Sequence, residues 1–420
     1  MMNTNNSPGG STLGWHPVDG GIGAPKGFRA TGVMAGVKYH NKYDVALIFS
    51  EKPAYAAGVY TRNRVKAHPL LLTQKHLANG QAQAIVVNSG NANACVGPEG
   101  DEAAAAMAKS AAMELGLSPE DVVVASTGVI GSPLPVERVE AGIVAAAREL
   151  RELAGKDNEQ AEAAHRAALA IMTTDTTVKE VAYELPLAGG SVRLGGIAKG
   201  SGMIHPNMGT MLGFLTTDAA VPAQQLQDLL REAVDESFNM VTVDGDTSTN
   251  DMVVILANGC AGISPQGAGW QQFARMVKAA CVELAQMIAR DGEGASKFLE
   301  VTVQGAASLA SARQIARSIC GSSLVKAAMF GEDANWGRIL AAAGYAGAEF
   351  DPTKVDIYLG HVQVAQAGQG LPFSEEEAKK VLAAKDIKVL LELHDGQAAA
   401  TAWGCDLTHE YVTINGKYRT

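Results

Sequence analysis

The stretch GMIHPNMGTMLGFLTTDA, residues 202–219, joins a glycine-rich segment to an apolar run that is typical of a buried strand. Pro206 removes a backbone donor and biases His205 towards an extended conformation, so this stretch cannot be a regular helix. Gly209 can adopt a strained backbone conformation without a Cβ clash. The sequence therefore predicts a sharp, shaped loop followed by a strand that begins at Thr210.

Strand and helix patterns alternate on both sides of this loop. Strands are predicted at about 178–187, 191–198, 210–219 and 252–257, and helices at about 136–154, 159–172, 222–239 and 269–290. Because strands occur both singly between helices and in consecutive pairs, the pattern favours mixed sheets covered by helices over a purely parallel sheet. The predicted fold class is α/β (α+β layered), with a larger domain over about 1–295 and a smaller C-terminal α/β domain over about 296–420.

Composition excludes several classes of partner and cofactor. The 420 residues carry a formal net charge of −10 without a lysine or arginine block, which argues against nucleic acid. No apolar run approaches the roughly 20 residues that span a bilayer, and the N-terminal MMNTNNSPGG lacks the regions of a signal peptide. The five cysteines form no C-x-x-C pair, and the glycine runs lack a dinucleotide fingerprint. We therefore expect a cytoplasmic protein without a membrane partner, a metal or a cofactor.

Thr210 raises a chemical question, because a threonine hydroxyl is a poor nucleophile unless a base activates it. If the hydroxyl attacks the Gly209 carbonyl, the amide becomes an ester, and water then releases the first fragment. Thr210 becomes a new N-terminus, and its α-amine, with an ordinary pKa of about 7.7–8.0, can act as the base for its own hydroxyl. A glycine–threonine step at a strand entry is also common in ordinary strands, so the spacing alone leaves both interpretations open.

Eight ordered motifs extend the pattern along the chain: APKGFRATGVMAGVK, NSGNANAC, ASTGVIG, MTTDT, AKGSGMIHPNMGTML, DGEGASKF, FGEDANWGRI and YVTINGKYRT. Together they resemble the ornithine acetyltransferase (glutamate N-acetyltransferase) family of arginine biosynthesis, from about residue 15 to the C-terminus. The resemblance implies a self-processing enzyme of the N-terminal-nucleophile type that moves acetyl from N2-acetyl-L-ornithine to L-glutamate by a ping-pong mechanism through an acetyl-threonine. Some members of the family also use acetyl-CoA as a donor, and no residue here decides that point.

The resemblance also implies how the chain is processed. Cleavage between Gly209 and Thr210 would give an alpha fragment, 1–209, and a beta fragment, 210–420, which remain associated as a heterotetramer of two of each. Gly209 stands where the family more often has alanine, and a smaller residue does not block the acyl shift.

Further site residues follow from the resemblance. Thr127 and the backbone N–H of Gly128 would form the oxyanion hole. The substrate would be bound, besides Thr210, by Thr173, Lys199, Glu293, Asn415 and Thr420, with Thr174 as the alternative to its neighbour Thr173. Without the resemblance these positions have ordinary interpretations: a strand exit, a solvated lysine, a solvated acid in a turn and a frayed chain end.

Two other functions fit the same sequence. A self-cleaving amidohydrolase or aminopeptidase would use the same threonine but pass the acyl group to water, releasing acetate without glutamate. A non-enzymatic α/β protein that binds a small molecule would keep Thr210 as an ordinary strand residue, and Thr210→Ala would then leave the chain length unchanged.

Overall fold

The computed structural model describes residues 14–205 and 211–417. The predicted cleavage site, Gly209 and Thr210, and the predicted substrate contact Thr420 lie outside the described residues. The strands are β1 (His16–Pro17), β2 (Phe28–Val33), β3 (Val45–Tyr60), β4 (Gln81–Asn91), β5 (Val122–Val129), β6 (Lys179–Leu187), β7 (Gly190–Lys199), β8 (Leu212–Thr217), β9 (Val241–Thr242), β10 (Met252–Ala257), β11 (Phe298–Ala306), β12 (Asp356–Leu359), β13 (Val362–Gln366), β14 (Gln369–Gly370), β15 (Asp386–Glu392) and β16 (Ala398–Cys405).

The helices account for the segments between these strands. They are α1 (His68–His76), α2 (Pro98–Leu115), α3 (Val136–Glu152), α4 (Asp157–Ala170), α5 (Ala223–Glu236), α6 (Ala268–Arg290), α7 (Leu309–Gly321), α8 (Ser323–Phe330), α9 (Trp336–Gly344), α10 (Glu375–Leu382) and α11 (His409–Gly416). None of the helices in the described part of the chain combines the length and apolarity needed to span a membrane.

Within the described ranges, the larger sheet has nine strands and is mixed. Its order is β1-β6-β7-β8-β10-β3-β4-β5, with β2 paired to β3 beside this path. The β8–β10 and β4–β5 pairs are parallel, whereas the β6–β7, β7–β8 and β3–β4 pairs are antiparallel. The predicted α/β fold with mixed sheets covered by helices is therefore confirmed.

The centre of this sheet is buried on both faces, which explains the continuous apolar runs there. Along β10, Val254 belongs to an apolar cluster with α4, whereas its neighbours Val253 and Ile255 belong to a second cluster with α5 and α6. This alternation follows from the two-residue period of a strand. The predicted strand 252–257 is therefore found with the same bounds.

The smaller sheet, as far as the chain is described, has seven strands in the order β14-β13-β12-β15-β11-β16-β9. One apolar cluster runs from Leu215 in the first sheet through Leu284 and Ile288 of α6 to Val301 and Leu391 in the second. Most of the second sheet lies after the predicted division at about 295, but β9 reaches into it from the earlier part of the chain. The division at that residue stays a prediction.

The glycine- and alanine-rich stretch after α7 contains two short helices that the sequence pattern did not predict. Ser322 and Asn335 cap them, with side-chain oxygens that accept the N–H groups of Val325 at 3.4 Å and Arg338 at 3.2 Å. Cap residues, rather than apolar periodicity, mark the starts of these helices.

Candidate active site

The ends of three neighbouring strands meet where the predicted nucleophile loop begins and ends. Lys199, the last residue of β7, pairs with Leu212 at the start of β8. The parallel pairing of β8 with β10 places Asp251 beside Met211, whose backbone N–H donates to Asp251 Oδ1 at 3.0 Å. Met211 is the first described residue after Thr210, and these contacts fix the position of its backbone.

A cavity of about 380 Å³ opens at this position. Its walls include six of the predicted site residues and the alternative to one of them: Thr127, Gly128, Thr173, Thr174, Lys199, Glu293 and Asn415. These residues come from β5, the segment after α4, the end of β7, the turn after α6 and α11. The structure therefore brings together every predicted site residue that it describes.

Thr127 and Gly128, the predicted oxyanion-hole pair, lie near the end of β5. The backbone of Gly128 has φ +136°, and a Cβ added there would lie 2.3 Å from the carbonyl carbon of Gly90, so this position requires glycine. The amide nitrogen of Asn250 donates to the carbonyls of Ser126 and Ala92, both at 2.7 Å. These bonds tie the strand end that carries Thr127 to the segment before β10.

Lys199 is buried beside the cavity within a network of alternating charges. Its Nζ lies 3.8 Å from Asp175 Oδ2, while Lys179 Nζ donates to Asp175 Oδ1 at 2.8 Å and to Asp291 Oδ2 at 2.5 Å. Burial lowers the pKa of Lys199, and the Asp175 carboxylate partly offsets that effect. Although burial by itself raises the pKa of Asp175, the ammonium groups of Lys199 and Lys179 hold it well below its usual range.

Glu293 and Asn415 form a further part of the cavity wall. The amide nitrogen of Asn415 donates to Glu293 Oε2 at 2.8 Å. A Cβ added to Gly202 would lie 2.3 Å from the carboxyl carbon of Glu293, so the glycine leaves the space that the carboxylate occupies. The last helix, α11, therefore packs against the site with one of the two predicted C-terminal residues in the cavity wall.

Thr173 and Thr174 both line the cavity, so geometry does not separate the two alternatives. The backbone N–H of Thr173 donates to Asp175 Oδ2 at 3.0 Å, and its carbonyl accepts a hydrogen bond from Lys42 Nζ at 2.7 Å. The charged network thus fixes the backbone of this segment as well as Lys199.

Sequence patterns missed two buried acids of this region, Asp175 and Asp251. Asp251 is fully buried, its Oδ2 has no hydrogen-bond partner among the described residues, and burial raises its pKa well above the usual value. The only local signal for Asp251 was its position directly before an apolar strand, in the polar run DGDTSTND. No group of three or more His, Cys, Asp and Glu within 14–205 and 211–417 is placed to hold a metal ion.

Comparison with known proteins agrees with the sequence resemblance. The model of the ArgJ family matches residues 29–420. The arginine biosynthesis bifunctional protein ArgJ of Symbiobacterium thermophilum is 57% identical over 406 residues, which cover 96% of this chain and 99% of the relative.

Two solved structures match about half of the chain each. The crystal structure of arginine biosynthesis bifunctional protein argJ from Bacillus halodurans is 46% identical over 48% of this chain and 96% of its own, with a TM-score of 0.47. The ornithine acetyltransferase complexed with ornithine from Mycobacterium tuberculosis is 40% identical over 46% of this chain and 98% of its own, with a TM-score of 0.41. The family match over nearly the whole sequence and the full-length relative show that the chain belongs to the ArgJ family.

Proposed function

We propose that this protein transfers the acetyl group of N2-acetyl-L-ornithine to L-glutamate through an acetyl ester on Thr210. The observation that carries the proposal is the single cavity that gathers Thr127, Gly128, Lys199, Glu293 and Asn415 next to the strand that follows Thr210. The names of the full-length relatives, which place them in arginine biosynthesis, support it.

Activation begins with self-cleavage between Gly209 and Thr210. The Thr210 hydroxyl adds to the Gly209 carbonyl, the peptide nitrogen leaves as the α-amine of Thr210, and water hydrolyses the resulting ester. The fragments 1–209 and 210–420 stay together because β7 of the first pairs with β8 of the second, and β3 of the first pairs with β10 of the second. In this proposal two copies of each fragment form the cytoplasmic heterotetramer.

In the first half-reaction the Thr210 α-amine takes the proton of the hydroxyl, which attacks the acetyl carbonyl of acetylornithine. The Thr127 hydroxyl and the Gly128 N–H donate to the oxygen that becomes negatively charged. The tetrahedral intermediate then collapses, the C–N bond breaks, and the proton passes to the departing amine of ornithine. An acetyl ester remains on Thr210.

In the second half-reaction the α-amine of glutamate attacks this ester, and the products are N-acetylglutamate and the free Thr210 hydroxyl. Lys199 is placed to pair with a substrate carboxylate, and Glu293, held by Asn415, with a substrate ammonium group. Acetyl-CoA can replace acetylornithine as the donor in this scheme, since only the leaving group differs. The word bifunctional in the relatives' names favours this second activity.

Intact-mass measurement under denaturing conditions tests the nucleophile directly. We expect the matured wild type to give two species with the masses of 1–209 and 210–420, the second beginning Thr-Met-Leu-Gly, and Thr210→Ala to give one full-length species. Incubation with acetylornithine alone should then release one equivalent of ornithine per site and add one acetyl group to 210–420. An uncut wild type contradicts the nucleophile assignment, and continuous release of acetate without glutamate identifies a hydrolase instead.

A further inference from the structure

A second cavity of about 220 Å³ adjoins the first, and we call it the lysine pocket. The two cavities share Gly128, Val129, Thr173 and Thr174 as wall residues, so the lysine pocket lies directly beside the predicted oxyanion hole. Its volume far exceeds the roughly 30 Å³ that one water molecule takes up in the liquid. The lysine pocket therefore has room for part of a substrate.

Positive charge dominates the walls of the lysine pocket. Lys38, Lys42 and Lys417 line it, and among the residues that the structure describes the only acid in its wall is Asp44. The two carboxylate oxygens of Asp44 accept the backbone N–H groups of Ala35 and Val37, each at 2.6 Å, so this carboxylate holds its own loop. The lysine pocket thus has the chemistry of a site for an anion.

Lys42 contacts a residue of the wall that the two cavities share. Its Nζ donates to the carbonyl of Thr173 at 2.7 Å, one of the three hydrogen bonds that an ammonium group can donate. Within residues 14–205 and 211–417, no carboxylate oxygen lies within 4.0 Å of Lys42 Nζ, the distance limit for an ion pair. Burial lowers the pKa of Lys42, with partial compensation by Asp175, so an incoming anion would stabilise its charged form.

The proposed substrates differ at the place where such a cation matters. Ornithine and glutamate have the same α-amine and α-carboxylate, but the side chain ends in an ammonium group in ornithine and in a carboxylate in glutamate. Contacts to the shared groups cannot distinguish the two, whereas a cationic pocket favours the carboxylate. We infer that the lysine pocket binds the side-chain carboxylate of the acceptor glutamate, with Lys42 as its main partner. This inference rests on the proposed transfer to glutamate.

The test separates the two half-reactions. The acetyl-enzyme is formed with acetylornithine and then titrated with glutamate, for the wild type, Lys42→Met, Lys42→Arg and Lys38→Met. We expect Lys42→Met to raise the KM for glutamate about 10- to 100-fold, the range for a lost hydrogen bond to a charged group. The KM for acetylornithine should not rise, Lys42→Arg should recover most of the loss, and Lys38→Met should show a smaller increase. Lys109→Met, on the exposed face of α2, is the matched control.

Three outcomes overturn the inference. An unchanged KM for glutamate in Lys42→Met would show that the side-chain carboxylate of glutamate does not bind in the lysine pocket. An equal rise in the KM for glutamate and in the KM for acetylornithine would show that Lys42 acts only through its hydrogen bond to the Thr173 carbonyl. A rise confined to acetyl-CoA as donor assigns the lysine pocket to the phosphates of that molecule. Failure of the wild type to form any acetyl-enzyme is a different result, because it contradicts the proposed function itself.

Discussion

Replacing Asp175 by asparagine removes the anion that two buried ammonium groups share beside the cavity. Lys179 keeps a second partner, since its Nζ also contacts Asp291 Oδ2 at 2.5 Å. Lys199 does not, because Asp175, at 3.8 Å, has the only carboxylate within ion-pair distance of Lys199 in the described part of the chain. Among the described residues, the substitution therefore leaves one buried lysine without a carboxylate at ion-pair distance.

The expected loss of stability follows from this asymmetry. Removing one partner of a buried ion pair costs about 3–5 kcal/mol, because the other charge stays buried. The side-chain oxygen of asparagine can still accept the N–H of Gly200, which Asp175 Oδ1 accepts at 2.6 Å. The N–H of Thr173, which Asp175 Oδ2 accepts at 3.0 Å, loses its acceptor, because the asparagine NH2 group can only donate. Because Lys179 also retains Asp291, we place the cost at the low end, about 3 kcal/mol at pH 7.

Urea unfolding measures this cost, at a single protein concentration because the proposed fragments dissociate on unfolding. Asp175→Asn combined with Lys199→Met should recover at least about 1 kcal/mol, since the second change removes the stranded charge. Asp228→Asn, at an exposed position on α5, should cost less than about 0.5 kcal/mol. A loss below about 0.5 kcal/mol for Asp175→Asn, or a double variant that is no more stable, would refute the reasoning.

The pH dependence provides a second check on the same residue. The folded-state pKa of Asp175 lies below its ordinary value of 3.8. Its ionised form therefore stabilises the fold above that ordinary value, and this contribution is lost as the pH falls towards the folded-state pKa. The stability difference between wild type and Asp175→Asn should narrow when the pH is lowered below 3.8.

Three further predictions concern the walls of the cavity. In Gly202→Ala, the added Cβ would lie 2.3 Å from the Glu293 carboxyl carbon. The substitution should displace that carboxylate and raise the KM for acetylornithine about tenfold. The control Gly344→Ala, whose added Cβ would have no heavy atom of the described residues within 4 Å, should leave the kinetics unchanged. Asn415→Asp should raise the same KM by more than Asn415→Ala does, because it sets a like charge beside Glu293 in place of the 2.8 Å hydrogen bond. Burial lowers the pKa of Lys199 from 10.5, so Lys199 should lose its charge, and the KM for acetylornithine should rise, at a pH below that value. Lys199→Arg should move this rise to higher pH. A KM that stays constant from neutral pH to 10.5 would contradict the prediction.

Much of the fold could be predicted because apolar periodicity is a local property. The predicted helices and strands around the nucleophile loop are present, with described ends that differ by at most three residues. The short helices α8 and α9 were not predicted, since they span only eight and nine residues in a glycine- and alanine-rich stretch. Their capping side chains, Ser322 and Asn335, are the local signal that could have located them.

The candidate site could be predicted only in part. Family motifs identified Thr127, Lys199 and Glu293, and the structure places them in one cavity. Motifs did not identify Asp175 or Asp251, because an aspartate in a polar run looks like a solvated turn residue until its neighbours are known. Burial of these two acids depends on strand pairing and on α6, which are distant along the chain.

The sequence by itself determined most of the order of strands and helices and the membership of the ArgJ family, because each depends on residues close together in the chain or on ordered motifs. Only the tertiary structure decided which charges face one another. The pairing of Lys199 with Asp175, and the assembly of the lysine pocket from residues near 40, 173 and 417, require β-strand ends and the last helix to meet in space. Electrostatic interactions and burial act through distance in space, so separation along the sequence does not specify them.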